Sequence, residues 1–326
     1  MLEAFIPMIK NVLIFIALVV PGYILVKTHA VKQEQSAILS KILMYVGMPF
    51  LILSGTLSVD MTGQMAVNLL WAFIISVGIT IILFIVSKFL VVKGQEEKSL
   101  DGLMAKKSFG MERFCTIFSN NGFLGLPLAA AVFGTNSPIF AYLVVFNIVT
   151  NTLLYTLGVY LVSGDKKSID LKNVLLNPVL IAFILGIILN LVGMASVISE
   201  VVVFSDYFKN IVTPISMVIL GIKMGGIKFK EMFASWGLYC VSCKKLILIP
   251  AISVALCFIL HKLLLVDANM VMATFIAFAM PTAGLAPVFA DRYNGDVKNA
   301  TIFTLGTTIL SLLTIPLLYL IMCVII

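Results

Sequence analysis

The chain has 326 residues, of which 61% are hydrophobic and only 11% are charged, and its mean hydropathy is +1.14. This apolar share is far above that of soluble domains and indicates a protein embedded in a lipid bilayer. The net charge of +7 does not indicate nucleic-acid binding, because the basic residues stand singly or in pairs between apolar runs, without interleaved aromatic side chains.

In chain order, ten apolar runs are each long enough to cross a bilayer as a helix, which takes roughly 20 residues. The fourth and ninth runs are interrupted by glycine and proline, and we retain them because the flanking runs are too long to omit a crossing. The sequence therefore predicts an all-α membrane protein with ten transmembrane helices. Their predicted bounds are 5–26, 38–58, 66–90, 112–133, 137–162, 176–196, 203–224, 236–261, 269–290 and 299–325.

The distribution of positive charge predicts the orientation of these helices. With ten spans, the connections after odd-numbered helices all lie on one side, and 19 of the 22 Lys and Arg residues, Lys244 and Lys245 among them, fall near these connections. Short loops rich in Lys and Arg remain in the cytoplasm. We therefore expect a multi-pass plasma-membrane protein whose odd-numbered loops are cytoplasmic and whose two termini are extracellular.

No motif for catalysis, a metal or a cofactor stands out in the sequence. The five cysteines lie mostly inside or beside apolar runs, and Cys240 and Cys243 form an isolated C-x-x-C that we interpret as two small residues on one helix turn. His29 and His261 lie near helix ends, and neither H-E-x-x-H nor G-x-S-x-G occurs. We expect no enzyme activity, no metal and no cofactor.

Run four contains the stretch SNNGFLGLP at residues 119–127, which has two adjacent amides, two glycines and a proline in an apolar setting. Pro127 lacks a backbone donor and clashes with the preceding turn, while Gly122 and Gly125 lower the cost of leaving helical geometry. We expect the helix to open near 120–126 and to resume with the proline in its first turn. In hydrocarbon, irregular backbone persists only where it is buried in protein or lines a cavity.

Run nine contains a second such stretch, AMPTAGLAP at residues 279–287. Pro281 and Pro287 bracket Thr282, Ala283 and Gly284, so the same argument predicts a second opening here. Helices 4 and 9 are thus both predicted to be broken inside the membrane.

Three pairs of corresponding motifs relate the two halves of the chain. SNNGFLGLP aligns with AMPTAGLAP on Pro127 and Pro287, YVGMPFLILSG in run two is similar to IVTPISMVILG in run seven, and FNIVTNTLL in run five is similar to FTLGTTILS in run ten, where Thr150 matches Thr307. Five helices per half is an odd number, so related halves must be inserted upside down relative to each other. We predict two inverted repeats, residues 1–163 and 164–326.

Four of these segments also resemble a known family. NNGFLGLPL, the MP-x-A segment of run nine followed by YNGD-x-x-x-A, TTILSLLTIPL in run ten and PISMVILGIKMG in run seven are similar to the auxin efflux carrier family, whose bacterial members include malate and malonate permeases. The resemblance covers essentially the whole chain. It implies a secondary transporter in which broken helices 4 and 9 cross and a transport domain moves against a scaffold, an elevator-type alternating access, with a homodimer as a plausible assembly.

The inverted relation of the halves would bring the two openings together. Two half-helix N-termini, each with unpaired N–H groups and roughly half a positive charge, would then face one space and favour an anion without any buried cation. The inferred partner is a small organic anion, a carboxylate, and the family resemblance implies malate, malonate or an auxin-like acid.

The polar side chains of the two openings are the first candidates for contacting this anion. Asn120 and Asn121 offer amide donors and acceptors, and Thr282 offers a hydroxyl, although all three could instead cap the broken backbone. The predicted substrate site is completed by backbone at Gly122, Ala283 and Gly284.

Helices 5 and 10 add polar faces that could line the same space. Asn147 and Asn151 are four residues apart on helix 5, and Thr308 shares a face of helix 10 with Thr304 and Thr307. Hydrogen bonds between helices explain these faces equally well.

All fifteen acidic residues fall in loops or near helix ends, so no carboxylate is predicted at the middle of the membrane. A buried acid is the usual proton relay or charged sodium ligand. We therefore expect transport of the anion without an obligatory proton carrier. The alternative is a sodium- or proton-coupled organic anion symporter of the same ten-helix architecture, since carbonyls and hydroxyls can bind sodium.

Overall fold

The computed structural model describes residues 2–91, 102–169, 172, 176–193 and 195–325. Within these ranges the chain is helical, and the only strand pairing is a single antiparallel bridge between Ser119 and Thr282. Lys93 and Lys98, which the charge analysis assigns to a cytoplasmic loop, lie outside the described residues. The helices are α1 (Leu2–Lys27), α2 (Gln33–Leu57), α3 (Gly63–Leu90), α4 (Gly102–Ile117), α5 (Asn121–Phe133), α6 (Pro138–Ser163), α7 (Pro178–Val192), α8 (Ala195–Lys209), α9 (Val212–Gly225), α10 (Phe229–Phe233), α11 (Trp236–Lys262), α12 (Ala268–Ala279), α13 (Ala286–Arg292) and α14 (Val297–Ile325).

Seven helical segments of the described chain are long and apolar enough to cross a membrane. They are α1, α2, α3, α6, the α8–α9 segment, α11 and α14, and each matches one of the predicted spans. The other three predicted spans contain the shorter apolar helices α5, α7 and α12. The all-helical membrane class is therefore confirmed, and the ten-helix inverted repeat stays a prediction.

The outer faces of these helices are apolar. Large hydrophobic side chains such as Leu70 on α3, Ile181 on α7 and Leu313 on α14 are more than half exposed. A soluble protein rarely leaves so many large apolar groups in water. These faces fit contact with lipid tails.

The helices form two groups by their packing. In the first helix group, α1 packs along α9, and α2 packs against α7 and α8. In the second helix group, α3 packs on α6, α6 and α11 pack on α12, and α14 packs on α11 and α13, while α4 and α5 lie against α6 and its C-terminal part. Fewer contacts join one group to the other than hold each together.

The first helix group has its closest packing where α1 crosses α9. Gly22 on α1 faces the carbonyl oxygen of Val218, and Gly221 on α9 faces that of Val19. A Cβ at either glycine would lie closer to these backbone atoms than a Cβ atom can, so only glycine permits the two backbones to approach this far.

We expect Gly221→Val to lower the thermal stability of the detergent-purified protein by several degrees, because the added atoms meet backbone that cannot move aside. Gly78→Val is the matched control, since an added Cβ at Gly78 on α3 has no neighbour within 4 Å. Unfolding followed by size-exclusion fluorescence measures both. Equal unfolding temperatures for the two variants would contradict this account of the crossing.

Candidate functional site

The centre of the second helix group is formed by two chain segments that leave helical geometry side by side. Helix α4 ends at Ile117 and α5 begins at Asn121, while α12 ends at Ala279 and α13 begins at Ala286. The backbone N–H of Asn120 donates to the carbonyl of Pro281 at 2.8 Å. The N–H of Ala283 donates to the carbonyl of Phe118 at 2.9 Å. Each opening thus satisfies backbone groups of the other.

The prolines occupy the positions that the sequence predicts for resumed helices. Pro127 lies in the first turn of the α-helical part of α5, and Pro287 lies in the first turn of α13. Pro281 lies inside the opening, where its carbonyl accepts the hydrogen bond from Asn120.

The glycines of the two openings have no positive φ, and close neighbours crowd only one of the three positions. Gly122, Gly125 and Gly284 are not among the glycines with positive φ. A Cβ at Gly122 would touch Asn147, one at Gly125 would crowd Met280, and one at Gly284 would have its nearest neighbour, Asn120 Nδ2, at 3.8 Å.

A cavity of about 360 Å³ lies beside the paired openings. Its size is typical of small-molecule sites. The second helix group supplies most of the wall, and α2 and the start of α7 in the first helix group supply the rest. The lining residues are Met44, Tyr45, Met48, Ser119, Asn120, Asn121, Gly122, Phe123, Asn147, Asn151, Leu154, Tyr155, Leu176, Asn177, Pro178, Val179, Ala283, Gly284 and Leu285.

Two asparagines present polar atoms with no hydrogen-bond partner among the described residues. Asn121 donates through Nδ2 to Thr150 Oγ1 at 3.1 Å, and its buried Oδ1 is unpaired. Asn147 accepts through Oδ1 from Asn151 Nδ2 at 3.1 Å, and its buried Nδ2 is unpaired. An unpaired buried polar atom costs about 1–3 kcal/mol, so these two atoms favour a polar ligand in the cavity.

The first turn of α5 adds backbone donors to the same wall. N–H groups in the first turn of a helix have no acceptor within the helix and carry its positive dipole end. Asn121, Gly122 and Phe123 form that turn, and all three line the cavity. This wall is suited to a negatively charged group.

The structure brings together seven of the nine predicted contact residues and places the other two elsewhere. Thr282 is fully buried, with Oγ1 donating to the Cys115 carbonyl at 2.8 Å, so its hydroxyl caps the end of α4. Thr308 donates to the Thr304 carbonyl within α14 and borders a separate apolar cavity next to α1. The remaining seven are Asn120, Asn121, Gly122, Asn147, Asn151, Ala283 and Gly284.

Sequence reasoning missed a buried cation next to the paired openings. Lys245, which the charge analysis counts near a cytoplasmic loop, lies within α11 and is fully buried. Its Nζ donates to Ser119 Oγ at 2.5 Å and lies 3.4 Å from the Ile117 carbonyl and 3.5 Å from the Phe278 carbonyl. The placement of Lys245 near a loop was therefore wrong, whereas the expectation of an anion site without a buried cation stays a prediction, because Lys245 does not line the cavity. The available signal was the position of Lys245 ten residues inside an apolar run.

Lys244, the neighbour of Lys245, has an ordinary partner. Its Nζ forms an ion pair with Glu112 Oε1 at 2.7 Å, and both side chains keep about a fifth of their surface exposed. This pair joins α11 to α4.

We expect Thr282→Val to lower the unfolding temperature by a few degrees, because it removes a fully buried hydroxyl and leaves the Cys115 carbonyl without its donor. The control is Thr28→Val at the exposed end of α1, where water can replace the hydroxyl. Differential scanning fluorimetry compares the two. An equal loss in both variants would show that the Thr282 bond stabilises nothing.

The sequence profile of a family described as "Membrane transport protein" matches residues 7–319. Two archaeal proteins, each named as an uncharacterized transporter, are similar over 94% of this chain and 96% of their own length. The one from Methanothermobacter thermautotrophicus is 27% identical over 311 residues, and the one from Methanocaldococcus jannaschii is 28% identical over 313. These relationships indicate a transporter and not an enzyme. The chain belongs to the auxin efflux carrier-like family of membrane transport proteins.

Proposed function

We propose that this protein is a secondary transporter of small carboxylate anions that works by alternating access, with its substrate bound in the cavity beside the paired openings. The observation that carries the proposal is the set of unpaired donors on one wall of that cavity. Asn147 Nδ2 has no partner among the described residues, and the first-turn residues of α5, whose N–H groups have no acceptor within the helix, line the same cavity.

A carboxylate matches these donors better than a neutral solute does. Hydrogen bonds to an ionised acceptor are about twice as strong as neutral ones, and the helix dipole adds to them. Asn121 can join the donors, because the Thr150 hydroxyl donates as readily as it accepts. If the Asn121 amide rotates by half a turn, Oδ1 accepts from the Thr150 hydroxyl and Nδ2 becomes the unpaired atom.

Equivalent contacts in the two halves support the inverted repeat of residues 1–163 and 164–326. Thr150 and Thr307, matched in the sequence alignment of the halves, each bind the opening next to them. Thr150 Oγ1 accepts from Asn121 Nδ2, and Thr307 Oγ1 accepts from the Thr282 N–H at 3.2 Å. The packing follows the same symmetry, since α1 lies on α9 as α7 lies on α2.

The place of the cavity supports an elevator-type mechanism. Met44, Met48 and Pro178 belong to the first helix group, whereas the polar wall belongs to the second. A site between two packed groups is exposed to alternate sides when one group moves against the other. In this proposal the second helix group is the transport domain and the first is the scaffold.

A second cavity, of about 470 Å³, adjoins the first and shares Met44, Phe123, Gly284 and Leu285 with it. Its wall includes Lys41 and Lys223 and a single acidic residue, Glu34. By the predicted topology this cavity lies on the cytoplasmic side. Two lysines there would attract an anion toward the site.

We expect Asn147→Asp to weaken malate or malonate binding by about tenfold or more, because it exchanges the free donor for a negative charge. Asn121→Ala should act in the same direction. Asn136→Asp, at an exposed loop position, is the control that adds the same charge away from the cavity. Isothermal titration of the purified proteins measures the affinities, and unchanged affinity in both cavity variants would contradict the proposed site.

We expect transport of the anion to respond to membrane potential without sodium. A carboxylate that crosses alone carries net negative charge, and an inside-negative potential drives its exit with about 2.3 kcal/mol per charge per 100 mV. In malate-loaded proteoliposomes, an inside-negative potassium diffusion potential should therefore speed efflux. Efflux that ignores the potential and requires a sodium or proton gradient would favour the symporter alternative.

A further inference from the structure

Lys245 is the one fully buried Lys or Arg in the described part of the chain. It lies in a π-helical turn of α11, residues 244–248, a deviation that is frequent at functional sites. Its Nζ is surrounded by three oxygens: the Ser119 hydroxyl and the carbonyls of Ile117 and Phe278. No carboxylate of the described residues forms an ion pair with it.

The counter-charge of this ammonium is formed by two helix ends. Ile117 is the last residue of α4, and Phe278 is the penultimate residue of α12. The C-terminal end of a helix carries roughly half a negative charge on its unpaired carbonyls, so two converging ends offer about one. A buried cation without such compensation would cost several kcal/mol.

The same oxygens would suit a free monovalent cation. In transporters with discontinuous helices, unwound carbonyls and half-helix C-terminal ends coordinate the coupling sodium ion or proton. Here the ammonium group of Lys245, on α11, occupies the position that such a cation would take. Ser119 links this place to the cavity, because it accepts from Lys245 and also lines the cavity wall.

We propose that the Lys245 ammonium is a tethered cation that fills a monovalent-cation site made by Ile117, Ser119 and Phe278, so that the carrier needs no sodium ion. The consequence for transport rests on the proposed function. The existence of the cation site does not rest on the proposed function, because it concerns only the stability of the paired openings.

The test compares wild type with Lys245→Ala, which empties the site, and Lys245→Met, which fills it with an uncharged chain of similar length. Lys230→Ala removes an exposed lysine from the short helix α10, which precedes α11, and controls for loss of charge. Unfolding temperatures are measured in sodium, methylammonium and choline chloride at equal ionic strength. Choline is too large for a site shaped around one ammonium group.

We expect Lys245→Ala to be destabilised in choline and to regain several degrees in sodium or methylammonium chloride. Wild type, Lys245→Met and Lys230→Ala should show no such difference between salts. In proteoliposomes, malate efflux by Lys245→Ala should fall about tenfold in choline and recover with the small cations. Purification of Lys245→Ala only in sodium or methylammonium would support the proposal equally.

Two results would overturn it. One is a Lys245→Ala protein whose stability is the same in all three salts, since that would make Lys245 a structural residue alone. The other is a wild-type carrier whose efflux requires sodium, a measurement that needs no variant. If no carboxylate moves at all, the proposed function fails, while the salt dependence of Lys245→Ala stability still decides the cation site.

Discussion

Two backbone hydrogen bonds hold the paired openings together, from Asn120 N–H to the Pro281 carbonyl and from Ala283 N–H to the Phe118 carbonyl. In a bilayer core, an unpaired backbone group costs several kcal/mol, because no water is present to bind it. Neither opening could persist alone. The short antiparallel pairing of the two openings therefore fixes where the helices stop and which residues face the cavity. It also fixes the direction of each helix end.

The pairing of the openings also determines which charged helix ends face the cavity and which face Lys245. The start of α5 is directed to the cavity, whereas the ends of α4 and α12 are directed to the ammonium of Lys245. One positive helix end thus faces the cavity, and two negative ends face a cation within the protein. The cavity wall presents this positive helix end although none of its residues carries a formal charge.

The sequence predicts the position of both openings within a few residues, because proline and glycine act locally on the backbone. It also predicts that Asn120 and Asn121 lie at an opening and, because helical periodicity decides which side chains share a face, that Asn147 and Asn151 can line the same cavity. The role of Lys245 could not be predicted from the sequence, because the contacts of that residue with Ser119 and Ile117 span more than 120 positions along the chain.

The hydroxyl residues were the least predictable part of the site. Whether a threonine on a helix faces a cavity or bonds to the carbonyl four residues earlier depends on its rotamer, which the sequence pattern does not encode. Thr308 takes the second option, and Thr282 turns to the end of a neighbouring helix. Their residue type was suited to a binding site, but their hydrogen-bonding capacity is used inside the protein.

The glycine crossing of α1 and α9 has a mechanical consequence. Backbone against backbone leaves no side chains that could change rotamer, so these helices cannot slip by a residue without collision. Side chains that can rearrange lie instead on the surface between the two helix groups. There, Met44 and Met48 have long, unbranched, polarizable side chains that repack at little cost. The α1–α9 contact is therefore rigid, whereas the surface between the two helix groups, where the cavity lies, can repack.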